Sequence, residues 1–254
     1  MGRKKINRVG EKKTNNFGSE IKITEYNNAN DIIVVFPEYN WQCKSAYKEF
    51  KKGSIRCPYE PRIHGIGYLG EGPYKPHIGR KHTKVYEVWS NMISRCYNNE
   101  FWIEHPTYKD CVVCKEWHNF QNFAKWYEEN YYEIPNMKMH IDKDILIKNN
   151  KIYSPKTCII VPNDINTLFV KCDTNRGDLP IGVFYDKRIK KYGAQCQFNK
   201  EHKHLGYYNT SEEAFNAYKT FKEDYIKQVA DQYRELIPKK LYNALYEYEV
   251  EWED

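Results

Sequence analysis

No apolar run in this sequence approaches the roughly 20 residues that a membrane-crossing helix requires. No signal-peptide-like apolar core follows the start either, so the sequence predicts a soluble, cytoplasmic protein without a membrane partner. The eight cysteines are scattered rather than grouped in a framework, and several sit inside apolar strand or helix patterns, which predicts reduced thiols rather than disulfides. Five glycines crowd residues 62–80, but no GK[ST] ending follows and no clear strand–helix pair flanks them, which excludes a phosphate-cradling loop. Neither sign of charge dominates: 40 basic against 34 acidic residues leave a formal +6. The distribution says more than the total. Residues 3–13 carry six Lys/Arg and one Glu, whereas 247–254 carry five acids and no base. A basic arm of that kind suits a polyanion, and a solvated terminus is the plainer reading.

What is abundant is aromatic: 23 Tyr, six Trp and eleven Phe, enough both to fill cores and to offer stacking surfaces. Taken in order, the chain predicts an α+β protein. A basic disordered arm over 1–19 precedes a small β unit over 20–61, where Ile21 and Ile23 alternate before Ile32 to Phe36, with Tyr47, Phe50 and Ile55 completing it. A Gly/Pro-rich linker spans 62–83. Two amphipathic helices follow in a domain placed at 84–170. Tyr86, Val88, Trp89, Met92, Ile93 and Cys96 line the first, and Trp117, Phe120, Phe123, Ala124 and Tyr127 the second. Residues 139–169 then read as strand, polar turn at Asn149-Asn150, strand over Cys158–Val161 and a short helix after Pro162, near enough to the two helices to share their core.

Beyond a polar linker at 172–178, residues 180–230 predict three short strands (181–186, 192–198, 204–208) and a helix over 212–230 capped by Thr210 or Ser211. The tail 231–254 is placed against the body. Strand parity puts Ala194, Cys196, Phe198 and Leu205 under the helix and leaves Gln195, Gln197, His202 and His204 on an open face, with Arg188 and Lys190 on the adjoining turn. Six Lys/Arg against two acids over 186–204 would serve phosphate contacts, and a small ribbon can enter a major groove. An ordinary wetted sheet surface fits the same pattern.

The order of Gly182-Val183, Tyr192 with Ala194, Leu205-Gly206, Glu212-Glu213-Ala214 and Ala217-Tyr218 resembles the AP2 DNA-binding domain over roughly 180–225. The resemblance implies a sheet lying in the major groove of double-stranded DNA. The residues facing the DNA would be Phe184, Asp186, Arg188, Gln195, Gln197, His202 and His204, with Lys190 beside them. Residues 139–166 in turn resemble the ββα-metal (HNH) nucleases of the phage homing-endonuclease branch. His140 and Asp142 match the His-x-Asp of the first strand, Asn149-Asn150 the paired asparagines, 157–161 the second strand and Asn166 the helix Asn. The combination resembles phage and bacterial HNH-like proteins that carry an AP2 domain behind the nuclease block.

Parity places His140, Asp142 and Asp144 on one side of the first strand, a set compatible with a hard divalent cation. The nuclease resemblance implies phosphodiester hydrolysis with His140 as general base. Asp142 or Asp144 with Asn166 would hold Mg2+ or Mn2+, and Arg95 or Lys143 would steady the phosphate. Cys111-x-x-Cys114 invites a structural Zn2+. It lacks a second CxxC or CxxH, so Cys96, His105, His118 or Cys158 would have to complete it, and Val112-Val113 reads equally as core strand. Three functions follow as expectations: a metal-dependent DNA endonuclease, a non-catalytic regulatory or architectural DNA-binding protein on the same fold, or a protein-interaction module.

Overall fold

The period-two alternation over 20–36 folds as a sheet. In the computed structural model, which describes residues 7–169, 178–198 and 201–252, β1 (Lys12–Thr14), β2 (Glu20–Asn28), β3 (Asp31–Phe36) and β4 (Trp41–Ser45) form an antiparallel meander in that order. Ile21, Ile23, Ile32, Val34 and Phe36 are buried together with Phe50 from helix α1 (Tyr47–Lys52) and with Ile55 and Cys57 beyond it. The arm expected over 1–19 is corrected for its described part. Lys12–Thr14 is an edge strand, and Asn15 is buried, donating from Nδ2 to Glu60 Oε1 at 2.7 Å and to the Ile55 carbonyl at 3.1 Å. Its Oδ1 accepts from the Ser19 and Phe17 backbone N–H groups. One fully satisfied buried amide ties the segment down, which a count of charges cannot foresee.

The linker expected over 62–83 is likewise a packed loop. Gln121 donates from Nε2 to the carbonyls of Leu69 and Tyr74 and accepts the Tyr74 N–H, while the Tyr68 carbonyl accepts from Phe120 N–H. A Cβ on Gly70 would stand 2.2 Å from Asn119 Oδ1, so the glycine permits that approach. The loop ends in a ribbon, β5 (His77–Ile78) and β6 (Lys81–His82), and runs into α2 (Lys84–Tyr97), capped by the Thr83 side chain. After α3 (Asn99–Glu104) comes β7 (Val112–Val113), paired in parallel with Ile152–Tyr153. α4 (Phe120–Asn130) begins three residues later than the apolar pattern suggested. Trp117 sits in a preceding 3-10 turn, and the Asn119 side chain accepts the Gln121 N–H at the helix start. Trp89, Trp117, Phe120 and Phe123 are fully buried, and Trp89 Nε1 donates to the Trp117 carbonyl at 2.7 Å.

The chain divides into two compact units, Met1–Glu129 with Ile152–Ser154 and Asn130–Lys151 with Pro155–Asp254. The domain expected at 84–170 is thereby split. Its two helices belong to the first unit, and most of the stretch 139–169 belongs to the second. There β8 (Met139–Asp142) pairs antiparallel with β10 (Ile159–Pro162), β9 being the Ile152–Tyr153 strand already described, and α5 (Asn163–Asn166) follows directly. The core beneath them comes from the C-terminal helices rather than from α2 and α4. Ile134, Ile145, Ile159, Val161 and Ile165 cluster with Ile226, Val229 and Ala230 of α6 (Ser211–Gln232) and with Leu241 and Leu245 of α7 (Lys239–Tyr246). Before α6, β11 (Val183–Asp186), β12 (Lys191–Phe198) and β13 (Glu201–Tyr208) form an antiparallel sheet in sequence order. The architecture is α+β, with several small sheets among helices. Near the C-terminal end of the described residues, Val250 is buried in the α6–sheet core and Trp252 lies edge-on to Phe215 at 5.0 Å. The expected linker at 172–178, up to residue 177, lies outside the described residues, as do residues 199–200 of the polar turn and the first six of the arm.

Candidate functional site

Two stretches carry the chemistry that the sequence predicted. The first is the loop after β8. Residue parity would keep His140, Asp142 and Asp144 on one face, but β8 ends at Asp142 and the chain bends there. Asp142 Oδ1 accepts from the backbone N–H groups of both Asp144 and Ile145 at 2.7 Å, closing an Asx turn. Burial pushes the Asp142 carboxyl above its usual range, while those two N–H groups pull the other way. Lys143, expected to point away, is buried. Its Nζ donates to Asp144 Oδ2 at 2.6 Å and to the Asn150 carbonyl at 2.9 Å, and Asn150 Nδ2 returns a bond to the Lys143 carbonyl. The loop is braced by the groups that the sequence offered to a metal and a phosphate.

The shared face expected for His140, Asp142 and Asp144 is therefore corrected. Among the described residues no three His, Cys, Asp or Glu side chains gather as a metal-holding group. One Asp142 oxygen is engaged by two N–H donors and one Asp144 oxygen by Lys143. His140 is half-buried on β8 opposite Val161, and Asn166 is half-buried at the end of α5. Arg95, the other phosphate candidate, belongs to the first unit, with its guanidinium 5.8 Å from the Tyr108 ring. Cys111 is buried and Cys114 half-buried on either side of β7. The Cys111 thiol lies against the Thr107 carbonyl, and His118 Nε2 is 3.0 Å from the Val113 carbonyl.

The second stretch is the sheet β11–β13. Parity works here. Val183, Ala194 and Cys196 are buried with Ala214, Phe215 and Tyr218 of α6, and Leu205 packs against them. Gln195, Gln197, His202 and His204 are exposed on the opposite face, in the register Gln195–His204 and Gln197–His202. The Phe198 side chain, expected under the helix, lies outside the described set. Phe184 faces the open side, its ring covering Gly193, where an added Cβ would stand 2.3 Å from the ring.

The sequence missed one member of this face. A bulge in β13 sets Ala194 opposite Gly206 and Gln195 opposite His204, leaving Leu205 extra. Gly206 takes φ +131°, and the slip brings Tyr207 to the open side beside His204, ring centroids 4.5 Å apart. Leu205-Gly206 was the available signal, since a glycine inside a strand often marks a bulge. At the rim, Asp186 accepts from Arg188, backbone N at 2.9 Å and Nη2 at 3.3 Å, and from Tyr207 Oη at 3.5 Å. The Arg188 backbone and guanidinium hold the Asp186 carboxyl below its usual range. Asp186 is thus an anchor for Arg188 rather than a contact for an anion. Lys187, Lys190 and Lys191 are exposed beside it, with Lys190 in the left-handed region at φ +55°.

No protein-family model, curated protein or solved structure matches this chain. No described helix is long and apolar enough to cross a membrane.

Proposed function

We propose that the protein binds double-stranded DNA through the open face of β11–β13. The observation that carries this reading is the segregation of the sheet. One face is sealed by α6, and the other offers Gln195, Gln197, His202 and His204 beside a turn with Arg188 and three exposed lysines. Amide side chains can bond adenine edges in the major groove, and the cations neutralise phosphates. Asp186 pre-orients Arg188, and the Phe184–Tyr207–His204 ring cluster stiffens the face it belongs to. The test is fluorescence anisotropy with a duplex of about 20 base pairs, comparing the native chain with Arg188→Ala/Lys190→Ala/Lys191→Ala. The reading requires the triple variant to bind more weakly and with a shallower dependence on salt, by about 0.9 per lost phosphate contact. Equal binding by both, or none by either, refutes it.

A second reading is favoured by the antiparallel β8–β10 pair running directly into α5: an HNH-type endonuclease with His140 as general base. Supercoiled plasmid incubated with and without Mg2+ or Mn2+ decides it. Metal-dependent nicking that His140→Ala abolishes establishes the enzyme. Binding without nicking leaves a regulatory or architectural DNA-binding protein.

A further inference from the structure

The ribbon β5–β6 belongs to neither the β8 loop nor the β11–β13 sheet. Between Glu71 and Glu87 the chain holds four Lys/Arg (Lys75, Arg80, Lys81 and Lys84), two histidines and no acid. All four cations are exposed, and among the described residues none of their side chains forms an ion pair or a hydrogen bond. Ile78, 76% exposed, projects near the tip and packs into none of the described cores. A basic, acid-free ribbon has the composition of a surface suited to a polyanion.

The ribbon is also held in place. Its two-residue loop is Gly79-Arg80, with positive φ confined to Gly79 at +61°, the pattern of a type II′ hairpin. The His77 and His82 rings face each other across the pair at 4.3 Å, and His82 stacks on Tyr86 of α2 at 4.9 Å and 13°. Thr83 closes the base, donating from N to the Pro76 carbonyl and from Oγ1 to the Lys75 carbonyl. A preorganised ribbon loses little conformational entropy on binding, so its charges act at close to full effect.

We infer that β5–β6 is a second duplex-DNA contact, in the first unit, with Lys75, Arg80, Lys81 and Lys84 on backbone phosphates. This rests on the reading of the protein as a DNA-binding one. The experiment uses the full chain and a duplex of about 30 base pairs, measuring affinity from about 50 to 200 mM salt. Three proteins are compared: the native chain, Lys75→Gln/Arg80→Gln/Lys81→Gln/Lys84→Gln, and a charge-matched control, Lys48→Gln/Lys52→Gln/Lys115→Gln/Lys125→Gln. The control removes exposed lysines of the same unit. The slope of log affinity against log salt is expected to fall by about 3 to 4 in the ribbon variant and to stay near native in the control. If the native chain binds and the ribbon variant keeps the native slope, or if the control loses as much, the ribbon assignment is overturned while the sheet reading stands. If the native chain does not bind duplex DNA, both fall. Circular dichroism of the ribbon variant, expected to match the native spectrum, shows that a lost slope is not lost folding.

Discussion

At the scale of single residues, Asp142 shows how a group that looks catalytic can serve the backbone. Its half-buried carboxylate holds two N–H groups of the bend, and the cost of desolvation outweighs their help, so its folded pKa is raised. A carboxyl whose folded pKa lies above the unfolded value, about 3.9, contributes its stability below that value. The contribution is lost as pH rises through the folded pKa. An asparagine side chain at this position would keep an oxygen acceptor without the charge. Asp142→Asn is therefore expected to melt above the native chain at pH 7, with the gap closing as pH falls toward 4. Asp142→Ala, which takes the acceptor from two part-buried N–H groups, should cost about 1–3 kcal/mol in denaturant unfolding. A native chain that outlasts the Asp142→Asn variant at pH 7 would reverse this assignment. Position 142 was legible as a charged strand residue. Its turn role was not, because strand alternation says nothing about where the strand stops.

At the scale of elements, the sheet and α6 were the most legible part. Three alternating segments and a capping box announce themselves locally, and the box is present: Thr210 Oγ1 accepts Glu213 N–H while Glu213 Oε2 accepts from Thr210 and Asn209. Thr210→Ala should cost about 1 kcal/mol, read as a lower denaturant midpoint with unchanged slope. The bulge that turns Tyr207 outward was hidden, since parity counts residues and a bulge adds one. The β7–β9 pairing was hidden too, because two-residue strands have no period to detect. Nor did sequence proximity predict core sharing. The β8–β10 stretch packs on α6 and α7, about 60 to 100 residues onward. Ile226→Ala, emptying a fully buried position in that cluster, is expected to cost about 2–5 kcal/mol. A loss under 1 kcal/mol would deny that α6 supports the β8–β10 stretch.

At the scale of the whole molecule, the modest net charge of +6 conceals a division of labour among cations. Some are spent on the fold: Lys143 inside its loop, Lys148 on the Glu249 carbonyl and on Glu251, and Lys219 on Glu223 and the Val250 carbonyl. The basic N-terminal run is partly spent as well, with Arg8 bonded to Glu11 and set over Tyr47. Those of the 187–191 turn and the 75–84 ribbon remain exposed. Composition cannot make that distinction, because a lysine satisfied by a carbonyl counts the same as one left to solvent. The most direct test of the central claim is an amide NMR titration of the full chain with a short DNA duplex. The largest shifts are expected in the 187–191 turn and at Gln195, Gln197, His202, His204 and Tyr207, with the α6-facing Ala194 and Cys196 moving less. Saturable binding that leaves those open-face amides unmoved would contradict it.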